Sequence, residues 1–267
     1  DKMVGAKLQE AGLKDMSSLK LSSSIFVKDS LVLSDNAKSV LKRRYLKKDS
    51  RGRLVESPRH MFKRVARHIA RAEKKYGDES DMEKMAETFY HMLTDLTFLP
   101  NSPTLMNAGT EPGQLAACFT LPVGDSLTEI FDALKWGALI HQSGGGTGYN
   151  FSTIRPRASP VPETYGTASG PVSFMQIFNQ ATDIIRQGGR RRGANIGILN
   201  ADHPDILSFI RSKEREGDLA NFNISVMVTD AFMECIRCGR MDTVWATHPV
   251  TAEEVTAGAV WQAITSG

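Results

Sequence analysis

Three stretches of this sequence combine residue types and spacings that chemistry requires. In Gln187-Gly188-Gly189-Arg190-Arg191-Arg192-Gly193-Ala194-Asn195, glycines near both ends let the backbone turn sharply and approach a ligand. Three guanidiniums between them offer donors to phosphate oxygens or base edges. The same residues also suit a solvent-exposed basic turn, the ordinary fate of a charge run. Ser143-Gly144-Gly145-Gly146-Thr147-Gly148 presents bare backbone amides that could approach a sugar or phosphate. It is neither a Walker A loop nor a Rossmann fingerprint, and a tight connection before a strand explains it equally well. Cys118, in Ala117-Cys118-Phe119-Thr120-Leu121, follows Asn101-Ser102-Pro103-Thr104; a lone cysteine is usually an inert small hydrophobe. Cys235-Ile236-Arg237-Cys238 has redox or zinc spacing, but no second ligand pair exists and His248 is the nearest histidine. Both thiols are expected on one face of a short helix, incidental to function and without a metal.

The elements that must position these residues follow from periodicity. Ser57 and Pro58 suit an N-cap and first helical position, and Met61, Phe62, Val65, Ile69 and Tyr76 recur at helical spacing up to Gly77. Ser80 with Glu83 reads as a capping box for a second helix striped by Met82, Met85, Phe89, Met92, Leu93 and Leu96. Residues 1–95 therefore read as a helical domain. After Leu99-Pro100 glycine becomes frequent and helices alternate with short strands. Ser126 and Glu129 predict a box opening a helix through Ile130, Phe131, Leu134 and Ile140. Phe174, Ile177, Phe178, Ala181, Ile184 and Ile185 mark another helix, Ile196–Leu199 a buried strand, and 222–228 an alternating strand followed by a helix capped by Asp230. Alternation of strand, helix and glycine loop predicts an α/β architecture over 96–267.

Composition sets the outer bounds. The 267 residues carry 33 basic and 30 acidic side chains, a net charge of +3, so the chain is not globally polybasic. Seven Lys/Arg and one acid fall between Arg59 and Lys75, a pattern of a solvated helix face. No apolar run approaches the roughly 20 residues that span a bilayer. No secretory signal opens the sequence, and three cysteines are too few for a disulfide framework, so a cytoplasmic location is expected.

Taken in order, five motifs become specific. They are Leu99-Pro100-Asn101-Ser102-Pro103-Thr104-Leu105-Met106-Asn107-Ala108-Gly109, Cys118, Asp125-Ser126-Leu127, Gly144-Gly145-Gly146-Thr147-Gly148 and Gln187-Gly188-Gly189-Arg190-Arg191-Arg192-Gly193-Ala194. Together they resemble the ribonucleotide reductase large subunit. The resemblance covers most of the chain and is densest from 98 to 233. The wording of 187–195 is most similar to the adenosylcobalamin-dependent, class II branch.

The resemblance implies a helical N-terminal domain followed by the first half of a ten-stranded α/β barrel. It implies reduction of ribonucleoside di- or triphosphates to deoxyribonucleotides by a thiyl-radical route, with adenosylcobalamin as cofactor and a thioredoxin-type or dithiol reductant. Cys118 matches the first cysteine of the pair that delivers two electrons, a role suiting a thiol that can close a disulfide. Ser102 and the backbone around Gly146 match substrate-binding positions. Asp125, Ser126, Leu127, Arg155, Gln187 and Arg192 match a specificity site, where a dNTP effector binds at a homodimer interface. There Asp125 would accept from the sugar hydroxyl and Arg155 would face phosphate. The loop carrying Gln187 and Arg192 would relay effector identity to the substrate base.

One departure matters. The family carries its radical cysteine and acid as Cys-x-Glu, and none of Cys118, Cys235 or Cys238 is followed by that pattern. The chain is therefore expected to be an N-terminal portion, inactive alone. No N-terminal ATP-binding activity domain is recognisable in 1–95. A nucleic-acid-binding module using Arg59–Lys75 and Arg190–Arg192 is the rival reading. The near balance of charge and the lack of interleaved aromatics argue against it, and neither nucleic acid nor membrane is an expected partner.

Overall fold

The computed structural model describes residues 31–111, 113–162, 165–185, 193–215 and 217–266. Along the chain the described elements are α1 (Asp35–Arg44), α2 (Pro58–Ala70), α3 (Glu79–Thr94), α4 (Ser102–Asn107), β1 (Cys118–Leu121), α5 (Leu127–Ser143), β2 (Gly146–Asn150), β3 (Pro160–Val161), β4 (Gly166–Thr167) and α6 (Pro171–Ile184). There follow β5 (Asn195–Asn200), α7 (Ile206–Ile210), β6 (Phe222–Met227), α8 (Asp230–Arg237), β7 (Val244–Thr247), β8 (Glu254–Thr256) and α9 (Ala257–Ser266). Two compact units emerge: Phe62–Leu99 with 31–33, and Ser34–Met61 with Pro100–Gly267.

The first unit is helical. Ala70 of α2 packs with Met82 and Ala86 of α3, flanked by Met85 and Phe89; of the predicted stripes Met61, Phe62, Val65, Met82 and Leu93 are buried, while Tyr76, Met92 and Leu96 are exposed. The α3 cap differs from expectation. Asp78, not Ser80, accepts from the amides of Ser80 and Asp81, and Asp81 reaches back to the Asp78 amide. A carboxylate caps as well as a hydroxyl, and the Asp78–Asp81 pair lies two residues earlier at the same box spacing. Glu83, released from that role, pairs with Arg67. The basic run is thus partly neutralised by its neighbouring helix.

The second unit is built on a parallel sheet in the order β1-β2-β5-β6. Parallel neighbours need crossovers, which α5, α6 and α7 provide in turn. Its core holds Tyr149 and Phe151 of β2 against Phe178 of α6, with ring centroids 4.8 Å and 5.6 Å apart. Phe222 of β6 and Phe232 of α8 are equally buried. Tyr149 runs so close beneath α5 that any side chain at Gly137 would collide with its hydroxyl. Four parallel strands are described, rather than the five of a complete half-barrel. The helical lead-in and partial parallel α/β region are as the sequence predicted.

Two local expectations are corrected. Gly146, Thr147 and Gly148 do not form a loop before a strand; they are the strand, hydrogen-bonded between β1 and β5. Only Gly144 turns, at φ 105° as the C-cap of α5, where a residue without Cβ is needed. Thr229, not Asp230, caps α8 by accepting from Phe232 N–H, and Asp230 takes the first helical position. Among the described residues no helix is long and apolar enough to cross a membrane.

Candidate functional site

The expected site residues divide between the two ends of the parallel sheet. Beyond the carboxyl ends of β1 and β2 lie Asp125 and Arg155. Each Asp125 carboxylate oxygen accepts one bond, Oδ1 from the Arg155 backbone N–H and Oδ2 from Arg155 Nε–H, both at 2.7 Å. Arg155 also donates through Nη1 to the Pro160 carbonyl at 3.2 Å. The sequence reading gave each residue its own ligand contact; here they first bind one another. Both side chains are still about a third exposed, and a carboxylate with two bonds retains lone pairs for a hydroxyl donor. Ser126 caps α5 by accepting from Glu129 N–H at 3.2 Å, while its hydroxyl donates to the Glu129 carboxylate at 2.6 Å. Leu127 follows, its side chain largely in solvent. Four of the expected effector residues thus surround the N-terminus of a 17-residue helix, where anions are favoured. Gln187 and Arg192 lie outside the described residues.

At the amino ends of the strands the arrangement is different. Cys118 opens β1, is exposed, and stands in register with Gly146 on β2. The Gly146 N–H is already given to the Ala117 carbonyl at 2.8 Å, so this amide does not cradle a ligand. The glycine sits close against the approach to β5. A Cβ there would lie 3.2 Å from the Ala194 carbonyl oxygen. Ser102 begins α4, and its hydroxyl meets the Tyr45 hydroxyl at 2.9 Å. That helix is stitched to the approach to β1, because Thr104 Oγ1 donates to Leu115 C=O and Asn107 Nδ2 to Gln114 C=O. Gln114 keeps both amide atoms buried without a partner among the described residues.

Beneath this end runs a buried polar network that sequence reasoning missed. His141 Nε2 faces Asn195 Oδ1 at 2.9 Å, Thr147 Oγ1 donates to the same oxygen at 2.7 Å, and Asn195 Nδ2 donates to Thr182 Oγ1 at 2.9 Å. His141 Nδ1 reaches the Gly145 carbonyl at 3.1 Å. The network joins α5, β2, α6 and the first residue of β5. The signal was present: Ile130, Ala133, Gly137 and His141 recur every three or four residues on the buried face of α5. A histidine on an apolar stripe needs partners.

Cys235 and Cys238 do not share a face. Cys235 is buried and donates to the Arg240 carbonyl at 3.1 Å, while exposed Cys238 donates to Glu234 at 3.2 Å. The helix ends at Arg237, so Cys238 is its C-cap and leaves the helical face. That bond to the carboxylate holds the Cys238 thiol above its ordinary range and Glu234 below its own.

Comparison with known proteins matches residues 31–113 to the ribonucleotide reductase all-alpha domain and residues 116–260 to the ribonucleotide reductase barrel domain. The chain is 44% identical to a vitamin B12-dependent ribonucleoside-diphosphate reductase of Thermoplasma acidophilum, over 89% of this chain and 38% of that protein. It is 45% identical to the protein of the same name from Mycobacterium tuberculosis, over 87% of this chain and 35% of that protein. Among solved structures it is similar to the Actinobacillus ureae class Id ribonucleotide reductase alpha subunit, with TM-score 0.63 and 26% identity over 80% of this chain and 36% of that one. The chain therefore spans little more than a third of the length of these relatives.

Proposed function

This chain belongs to the ribonucleotide reductase large-subunit family, and from that premise we propose that it supplies the reducing-cysteine strand and the effector site of a ribonucleotide reductase. The proposal keeps residues 1–95 as the helical domain and 96–267 as the first part of a ten-stranded barrel. The observation that carries it is the placement of Cys118. It is exposed at the amino end of β1, in register with side-chain-free Gly146, and at the opposite end of that strand from Asp125 and Arg155.

In the proposed reaction the ribose 2′-hydroxyl leaves as water and hydrogen takes its place. Two thiols supply the two electrons and become a disulfide, and Cys118 is one of them. A dithiol or thioredoxin-type protein then restores the thiols by exchange. Ser102, oriented by Tyr45, and the backbone around Gly146 bind the ribonucleotide, a diphosphate as in the names of the relatives or a triphosphate. Adenosylcobalamin, from those same names, is the proposed radical source. Among the described residues no group of three or more His, Cys, Asp or Glu could hold a metal, and no Cys-x-Glu occurs in this sequence. No residue of this chain is assigned to the cofactor, and no step here runs through it.

A dNTP effector is proposed at Asp125, Ser126, Leu127 and Arg155, with Gln187 and Arg192 relaying its identity. The apolar residues that α5 and α6 leave exposed, Leu127, Phe131, Ile177 and Ile184, support a homodimer formed beside that site. The enzyme is proposed to work in the cytoplasm. The test is reduction of ribonucleoside di- and triphosphates by the intact protein with adenosylcobalamin and dithiothreitol, with and without each dNTP. Deoxyribonucleotide formation retuned by dNTPs is expected. No product under any pairing would overturn the proposal.

A further inference from the structure

Arg155 sits in a segment whose backbone polar groups are tied down one by one. Its own N–H goes to Asp125, and the Arg157 N–H goes to Asp205 Oδ2 at 2.8 Å. Pro156 has no N–H to place, and its carbonyl accepts from Ser159 N–H. Ala158, at φ 67°, donates to the Ala168 carbonyl at 2.8 Å. Two further bonds to this segment come from histidines. His203 Nε2 meets the Ile154 carbonyl at 2.9 Å, and His248 Nε2 meets the Arg157 carbonyl at 2.6 Å.

Each ring is buried and committed at its other nitrogen. His203 Nδ1 accepts from Asp205 N–H at 3.0 Å, and His248 Nδ1 accepts from Val250 and Thr251 N–H at 3.2 Å and 3.1 Å. A nitrogen that accepts carries no proton, so both rings are neutral with hydrogen on Nε2, aimed at a carbonyl. The two histidines arrive from separate elements, His203 after β5 and His248 at the end of β7. Two independent loops therefore converge on the segment that carries Arg155, one at the peptide that enters it and the other two residues beyond it.

We infer that His203 and His248 are positioning residues for Arg155 and that they set the affinity of the effector site. Through the Ile154 and Arg157 carbonyls they hold the Arg155 backbone where its N–H and Nε–H both reach Asp125. The guanidinium is then pre-oriented for an anionic ligand and loses little freedom on binding. This rests on the effector site proposed above.

Asparagine and glutamine separate the roles of the ring nitrogens. Asparagine replaces the Nδ1 acceptor and keeps the local turn, but lacks the reach to the carbonyl. Glutamine places an N–H where Nε2–H was. In the intact reductase, His203→Asn and His248→Asn should each weaken dNTP binding on the order of 3- to 10-fold, the worth of one such hydrogen bond. The effector-free reduction rate should stay near wild type in a protein that still folds, with a melting temperature lower by a few degrees, and the Gln variants should recover most of the affinity. Asp125→Ala is measured alongside. If Asp125→Ala loses dNTP affinity while both Asn variants keep it, the inference fails alone. If Asp125→Ala also binds normally, the effector site itself is wrong. Loss of effector-free activity together with dNTP affinity, or failure of both Asn variants to fold, would make the histidines structural and overturn the assignment.

Discussion

Chemistry at the residue scale separates the two exposed cysteines, Cys118 and Cys238. Cys118 is exposed at the start of β1 beside Gly146, where a thiol can meet both a bound sugar and an external reductant. In the intact enzyme Cys118→Ser is expected to abolish multiple turnover with dithiothreitol while leaving the dNTP dissociation constant unchanged. Sustained turnover by that variant would remove Cys118 from the reaction. Cys238 is equally exposed, yet its proton is held by the Glu234 carboxylate, which raises the thiol's pKa. A raised pKa leaves less thiolate at a given pH, and thiolate is the species that alkylates. Removing the carboxylate with Glu234→Gln should therefore speed iodoacetamide labelling of Cys238 at pH 7.5, followed by peptide mass spectrometry. An unchanged rate would mean that this bond does not govern the thiol.

At the scale of elements, the buried network makes the amino end of the sheet a rigid platform. Asn195 accepts from Thr147, faces His141 and donates to Thr182, so Asn195→Ala strands polar groups on three elements at once. About 1–3 kcal/mol of stability should be lost, read as a melting temperature lower by several degrees. A Gly137→Ala change should cost a similar ~1–3 kcal/mol by overpacking against Tyr149. A variant as stable as wild type would show that α5 can shift away from the strand. These elements also show what was legible in advance. The strand at 222–227 and the two crossover helices followed from period and spacing, because each buries one apolar face. Ser126 was legible as a cap, but the caps of α3 and α8 were not, since Asp78 and Thr229 stand beside other good capping residues. The glycine run was misread because Gly146 and Gly148 gain strand geometry only by pairing on both sides, which no local pattern encodes. The Asp125–Arg155 pair and the histidine clamps join residues 30 to 91 positions apart, and those separations are set by the fold alone.

The whole second unit places its two proposed sites at opposite ends of the same strands, and α5 runs between them. It starts at Ser126 beside Asp125 and ends with His141 under Asn195 and Gly144 at its C-cap, a span of ~25 Å at 1.5 Å per residue. In the proposed arrangement a dNTP at the start of the helix would stand at the opposite end of the strands from a substrate beside Cys118. Its influence must pass through elements packed along that span. The outer face of the helix is available for a second copy, because Leu127 and Phe131 are exposed about one turn apart, with Ile177 and Ile184 exposed about two turns apart on α6. If a two-fold pairing of these faces fixes α5, a charge on it should break subunit association and effector response together. Phe131→Glu is expected to raise the dimer dissociation constant of the intact reductase at least about tenfold, because an unpaired carboxylate would be buried. Sedimentation velocity over a range of concentrations measures the first effect. Competition between substrates with each dNTP measures the second, and selection should flatten while effector-free reduction persists. A Phe131→Glu protein that remained dimeric and kept every effector–substrate pairing would show that subunits meet elsewhere and that α5 carries no signal.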